Sequence, residues 1–350
     1  MSLPTAYRAF RRTTGDLPRT ISPSTEQLPQ DLGPSEVLIK IRTVSLNFRD
    51  VAMLHGRYPL DVQERGIPCS DAAAEVAAVG NMVKDFAVGD RVSAIFDLTK
   101  LTGCEDEPRC ELGGDVHGVL REYAIYEEKH LVKLPEYLSW EEAAAVTCAG
   151  VTAWAALDGL KSVDRLRSAL FQGTGGVSMF ALLLCLAAGI RPIITSSSDK
   201  KLDDIRKLSS NIGTINYKTV SDQASEVKRL TDGKGVDIVI NNTGPASIPE
   251  DLSFLRQRGG LVSLVGFLDS LDGDWKPSAI LALLIKSAKL KGIAVGSKED
   301  YLELNKFLAE NKVSLAPLID KVFSFDESPA AFDYLYSGSH VGKVIIRLDD

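Results

Sequence analysis

Histidine is scarce in this sequence, with four residues in 350, and cysteine is little commoner, with five. The cysteines (Cys69, Cys104, Cys110, Cys148 and Cys185) are odd in number and scattered. They form no disulfide framework and suit reduced thiols in a cytoplasmic protein. Basic blocks are missing and the net charge is −7, so nucleic acid is not an expected partner. Long apolar runs are missing too. Met179 to Ala188 is too short to span a bilayer and Ile280 to Ile285 is shorter still, so no membrane partner is expected. The early residues hold no apolar signal core. Arg8, Arg11, Arg12 and Arg19 have no amphipathic spacing and are interrupted by Pro4 and Pro18, so neither secretion nor import is expected. Neither a Ser-His-Asp arrangement nor a Tyr-x-x-x-Lys pair can be found. What remains is ordinary globular composition, 45% apolar and 25% charged, at a length that suits about two domains.

The strongest positive feature runs from Leu166 to Tyr217. An apolar run, Ala169 to Gln172, turns through Gly173-Thr174-Gly175-Gly176-Val177-Ser178. An apolar helical segment and a second apolar run, Arg191 to Thr195, follow. Strand, glycine turn, helix and strand make one βαβ unit with a phosphate-binding corner. Gly173 allows the tight turn, and Gly175 lets the backbone approach a pyrophosphate. The helix starting near Gly176 aims N–H groups at that anion. Ser178 takes the third fingerprint position, where a small residue lets helix and strand pack closely.

The end of the second strand selects the dinucleotide. NAD sites place Asp or Glu there, for the ribose hydroxyls. This chain places Ser196-Ser197-Ser198, then Asp199, Lys200 and Lys201. Hydroxyls and ammonium groups suit a 2′-phosphate, so NADP(H) is the expected cofactor, with Ser196, Ser197 and Lys201 near its phosphate. Asp199, one turn away, argues in the other direction.

Short strand patterns fill the first part of the chain: Tyr7 to Phe10, Val37 to Arg42, Glu75 to Gly80, Asp90 to Ala94, Arg121 to Tyr126 and Leu131 to Leu134. They predict a β-rich, barrel-like domain. At Ser139 the pattern changes, with a capping box, Ser139-Trp140-Glu141-Glu142, opening a helix. Strands and helices then alternate through Ala294, which predicts an open, doubly wound parallel sheet. The fold class is therefore α/β with a β-rich catalytic domain. The expected division is residues 1–130 with 297–350 for catalysis and 131–296 for nucleotide.

The order Gly-Asp-Arg-Val (89–92), Gly-Thr-Gly-Gly-Val-Ser (173–178), Ile-Asn-Tyr (215–217), Gly-Val-Asp (235–237), Val-Gly-Phe (265–267) and Gly-Lys-Val-Ile-Ile (342–346) resembles the medium-chain dehydrogenase/reductase superfamily. It is most similar to the zinc-independent, quinone-oxidoreductase-like and alcohol-dehydrogenase-like branch. The resemblance implies a GroES-like catalytic domain, an inserted Rossmann domain, an active site in the cleft between them, and a homodimer. It also implies cofactor contacts at Thr152, Gly173, Thr174, Gly175, Gly176, Val177, Tyr217, Asn241, Gly266, Phe267 and Lys343.

Zinc-dependent relatives use a Cys, a His-Glu pair and a later Cys. Here Asn47 stands at the first position and Ser70-Asp71 at the pair; only Cys148 matches. One soft ligand cannot hold a catalytic zinc, so no metal is expected. In zinc-independent relatives polar side chains of the first loop face the substrate carbonyl. The matching residues are Asn47, Asp50 and Tyr58. Asn47 can donate to an oxygen, or cap the helix from Phe48. Asp50 can pair with Arg49 or Arg57. Tyr58 can donate to a developing enolate or pack at the cleft mouth. The expected function is a metal-free NADPH-dependent reductase of an activated C=C in a small enone, quinone or thioester-like substrate. The alternatives are an alcohol dehydrogenase or carbonyl reductase on the same cofactor, and a nucleotide-binding protein without catalysis.

Overall fold

The computed structural model describes residues 4–162, 164–268 and 272–348. Strands come in three groups. The first is β1 (Ala6–Arg12), β2 (Ile21–Gln27), β3 (Glu36–Ser45), β4 (Asp71–Val79), β5 (Arg91–Ala94), β6 (Tyr123–Glu127) and β7 (Leu131–Lys133). The second is β8 (Ser168–Phe171), β9 (Arg191–Ser196), β10 (Gly213–Asn216), β11 (Ile238–Asn241), β12 (Leu261–Leu264) and β13 (Lys289–Gly292). The last is β14 (Ile319–Ser324) and β15 (Lys343–Arg347).

The chain divides into two compact units, Met1–Val151 with Gly296–Asp350, and Thr152–Val295. The first unit holds a seven-stranded sheet ordered β14-β15-β3-β4-β5-β7, with β6 also on β3, and a separate β1-β2 hairpin. The alternating apolar residues of β3 and β4 face one core, with Val37, Ile39, Ile41, Ala72, Ala74 and Val76 all buried. The tail enters that core: β15 pairs antiparallel with β3 and parallel with β14, burying Val344 and Ile346. β14 and the helix Ser328–Tyr336 carry no strong sequence signal and were not anticipated.

The first expected boundary, after residue 130, is corrected to Val151/Thr152. The segment between is tied to the first sheet. β7 pairs antiparallel with β5, and the Cys148 N–H donates to Asp71 at 3.1 Å. The second boundary lies one residue from its expected place.

The second unit holds six parallel strands ordered β10-β9-β8-β11-β12-β13. Numbered within the unit this is 3-2-1-4-5-6, the doubly wound order, which reverses between β8 and β11. Every residue of β8 and β11 is buried, as a parallel sheet covered on both faces requires. The helix Gly176–Ala187 is buried from Ser178 through Cys185.

Candidate functional site

The reversal of strand order sets the first candidate region, at the carboxyl ends of β8 and β11. Beyond β8, Gly173 has φ +75°, a conformation that costs a side chain but not glycine. Gly175 is the N-cap of the twelve-residue helix Gly176–Ala187. A Cβ built on either glycine meets nothing within 4 Å, so the ground over this turn is open. The first turn of a helix leaves N–H donors for an anion, and an approaching pyrophosphate meets backbone alone. Thr174 is buried, while Gly176 and Val177 are half-buried. Ser178 donates to the Gln172 carbonyl at 2.8 Å and accepts from Asn242 at 2.9 Å, so the small third residue also ties strand to helix.

The end of β9 bears the residues expected to select the cofactor. Ser196 is buried and accepts from the Ser198 N–H at 3.2 Å. Ser198 caps the helix Asp199–Arg206, accepting from the Lys201 N–H at 3.4 Å. Asp199 accepts from the Asn216 amide at 2.8 Å, which holds the one nearby acid against β10. Ser197, Lys200, Tyr217 and Lys218 are exposed, and the Lys218 ammonium lies 5.8 Å from the Tyr217 ring centre. The exposed rim of this strand end thus carries hydroxyl and ammonium groups together with one acid, Asp199.

On the other side of the reversal, Gly266 is needed for close approach: a Cβ there would lie 2.2 Å from the Asn242 carbonyl oxygen. Phe267 is half-buried and Thr152 buried. Asn241 is corrected. It is fully buried, its amide donates to Gly244, Ser247 and Asp251, and its oxygen accepts from the Gly244 N–H. Its side chain anchors a loop, with its NH2 group spent on protein oxygens. Sequence reasoning missed its partners. Asp251, fully buried, also accepts from Gln172 at 2.7 Å, and Gln172 in turn accepts from the Asn242 and Thr243 N–H groups. Burial pushes the Asp251 carboxyl up to about 7.

The second candidate region belongs to the first unit. Asn47 precedes the helix Phe48–Leu54, Ser70-Asp71 opens β4, Cys148 sits in the π-helical turn Val146–Gly150, and Lys343 begins β15. The fold brings all four together. Lys343 is 2% exposed, and its ammonium donates to the Leu46 carbonyl and the Asn47 Oδ1, each at 2.6 Å. It lies 3.6 Å from Asp71 Oδ2. Asp71, 0% exposed, accepts from Ser70 at 2.7 Å and from the Cys148 N–H. An ammonium only donates, so it settles which way the Asn47 amide faces. The oxygen points to Lys343; the NH2 group is buried without a partner among the described residues.

Two expectations are corrected here. Lys343, expected against cofactor, spends its ammonium on the Leu46 and Asn47 oxygens, because its strand start lies beside the first loop. Asp50, expected among the catalytic residues, is 1% exposed and accepts from the Asn47 N–H at 2.8 Å. Burial raises its pKa, against the pull of Arg49. It holds the loop. Tyr58 is half-buried and donates to Glu111 at 3.1 Å, with Arg49 3.5 Å from its oxygen. Burial raises its pKa, so the phenol stays protonated.

A zinc ion does not fit this donor set. Cys148 is the one soft ligand, Asn47 and Ser70 are neutral, and an ammonium already lies among them. Zinc needs about three deprotonated protein ligands. Among the described residues no group of three or more His, Cys, Asp or Glu could hold a metal.

The comparisons with known proteins agree with this architecture. Residues 33–136 match the alcohol dehydrogenase GroES-like domain and residues 176–310 the zinc-binding dehydrogenase family. A zinc-type alcohol dehydrogenase-like protein of Schizosaccharomyces pombe is 37% identical over 334 residues, 94% of this chain and 95% of its own length. The chain belongs to the medium-chain dehydrogenase/reductase superfamily. A solved structure from Sinorhizobium meliloti, assigned as an alcohol dehydrogenase, is 30% identical with a TM-score of 0.89 over 99% of this chain and 100% of that one. An alcohol dehydrogenase of Geobacillus stearothermophilus is 28% identical, covering 90% and 92% of the two chains. This dehydrogenase/reductase is thus an oxidoreductase of the alcohol-dehydrogenase-like kind that binds a nicotinamide dinucleotide. No described helix is long and apolar enough to cross a membrane.

Proposed function

We propose that this protein is a metal-free, NADPH-dependent reductase of an activated C=C bond in a small enone, enoyl or quinone-type substrate. One observation carries the reading: the Asn47 NH2 group is a buried donor with no partner among the described residues, fixed in place by Lys343. An unpaired buried donor is costly, so it suits a site that a ligand oxygen completes. When bound, NADPH supplies the hydride. Gly173, Thr174, Gly175, Gly176 and Val177 would hold its pyrophosphate, and Ser196, Ser197 and Lys201 its 2′-phosphate. Thr152, Tyr217, Gly266 and Phe267 remain proposed contacts.

The chemistry of the donor separates two reactions. Reducing a carbonyl requires a proton delivered to the same oxygen that the site holds. An amide can hold that oxygen but cannot give up a proton. Reducing a conjugated C=C needs the oxygen only held as an enolate while a proton goes to carbon. Asn47 meets the second demand. Tyr58, protonated but already bonded to Glu111, is the proposed proton source, with water as substitute. We also propose a cytoplasmic homodimer. The exposed sheet edge β13, beside exposed Leu284 and Ile285, offers a face for it, and the mass in solution checks it.

The test is where deuterium lands. Deuterated NADPH and a simple enal should place the label on the β-carbon and leave the aldehyde intact. Label on the carbonyl carbon would establish the alcohol dehydrogenase alternative instead. NADPH binding without turnover on enones, quinones or aldehydes would leave a nucleotide-binding protein.

A further inference from the structure

We infer that Lys343 is a positioning residue for reduction, a buried ammonium that aims and polarises the Asn47 amide where zinc-dependent relatives keep a metal. The inference rests on the proposed role of Asn47 and adds a residue 296 positions away in the chain.

Three observations support it. Lys343 is almost wholly buried, and a lone buried ammonium is strongly disfavoured unless paired and bonded. It is paired: Asp71 lies 3.6 Å away and is anchored by Ser70 and the Cys148 N–H. That anchoring fixes the cation, and the cation fixes the amide. The Leu46 carbonyl takes a second proton, so the ammonium is held from three sides. Third, its bond goes to the amide oxygen, opposite the unpartnered NH2 group. A cation on the oxygen withdraws electron density across the amide and makes its N–H a stronger donor. The same bond prevents the amide flip that would present an oxygen to a developing oxyanion. The electrostatic work of a metal is thereby done by a side chain one bond removed from substrate. Lys343 touches no reacting atom in this scheme.

A mutant cycle on Asn47 and Lys343 tests the inference. Rates would be measured for the wild type, Asn47→Ala, Lys343→Met and the double variant, with the best substrate found in the enone panel. Asn47→Ala should lower kcat about a hundredfold and Lys343→Met roughly thirtyfold, with NADPH affinity changed less than about threefold. The double variant should be no slower than about the worse single one, because Lys343 has nothing to aim once the amide is gone. Lys343→Met strands the Asp71 charge, so the two variants that carry Lys343→Met are also made with Asp71→Asn, where both partners are neutral. Losses that multiply in both backgrounds would assign Lys343 a structural role and overturn the inference. Slow Asn47→Ala with wild-type Lys343→Met overturns the lysine's role alone. Wild-type Asn47→Ala overturns the donor reading and this one together.

Discussion

The two units build their candidate regions from different materials. In the parallel-sheet unit the ground is backbone: two glycines with open space over them, a helix N-terminus, and a third glycine pressed against a carbonyl. In the first unit it is side-chain chemistry: an amide, an ammonium and a carboxylate locked in a buried chain of bonds. A backbone site is insensitive to side-chain identity and sensitive to added bulk. A side-chain site is the reverse. That difference predicts which substitutions each unit tolerates.

The largest effect should come from bulk on the glycine turn. Gly175 has φ −78°, allowed for any residue, and its Cβ would meet nothing in the protein. Gly175→Val should therefore fold with nearly unchanged Tm but fill the space over the turn. NADPH affinity should fall about a hundredfold, near 2.7 kcal/mol. Gly266→Ala is the control with opposite signature. Its Cβ would lie 2.2 Å from the Asn242 oxygen, so Tm should drop, at a cost of about 1–3 kcal/mol. Titration of cofactor fluorescence and thermal melts check both. Equal Tm losses in the two variants would dissolve the contrast.

Next in size is cofactor choice, where the backbone unit does use side chains. Lys201→Ala should weaken NADPH about tenfold and leave NADH nearly unchanged, as loss of one charge-assisted contact implies. Ser196→Asp should go further and favour NADH, because a buried strand-end carboxylate repels the 2′-phosphate. Equal losses for the two cofactors in Lys201→Ala would remove the phosphate reading.

The same contrast explains what could be read from the sequence. The glycine turn, the six parallel strands and the serines after β9 are local patterns, and their spacing alone implies their geometry. Asn47 could be named from its place in the first loop, but not the direction of its amide. That depends on Lys343, placed by a tail strand that pairs with β3. For Lys343 and Asn241 the family resemblance implies cofactor contacts. Both are buried and bonded inward, which no local pattern reports. β14 was missed because four of its six residues are exposed and its apolar alternation is weak. Asp251 was invisible for a similar reason. Its partners Gln172 and Asn241 come from two other strand ends, joined only by the sheet's reversal.

Asp251 gives a smaller, pH-dependent effect. Its folded pKa is raised to about 7 by burial, against an ordinary value of 3.8. Between those values the folded state binds more protons than the unfolded one. Its contribution to stability is therefore fully present below about pH 3.8 and is lost as pH rises through about 7. Asp251→Asn cannot ionise. The Tm of the wild type minus that of the variant should fall by a few degrees from pH 5 to about 8. A flat difference would show that the carboxyl is ionised throughout and fully compensated by its donors Gln172, Asn241 and Ser247.

The smallest expected effect is none at all, and it tests the side-chain half of the contrast directly. Exhaustive chelation should leave the rate of enone reduction unchanged, and purified protein should hold no stoichiometric zinc by elemental analysis. The argument is one of competing charge. A zinc ion among Asn47, Asp71 and Cys148 would have to displace the proton of the Cys148 thiol, its one soft ligand. It would also need Asp71, which already serves a cation 3.6 Å away. Two cations cannot share that one buried carboxylate without great cost. Zinc could bind only if Lys343 left its pocket, abandoning the Leu46 and Asn47 oxygens. One tightly held zinc per chain, with activity lost on chelation, would show that it does leave. The first unit would then be a metal site, Asn47 would lose its fixed direction, and the reason for preferring C=C over C=O reduction would go with it.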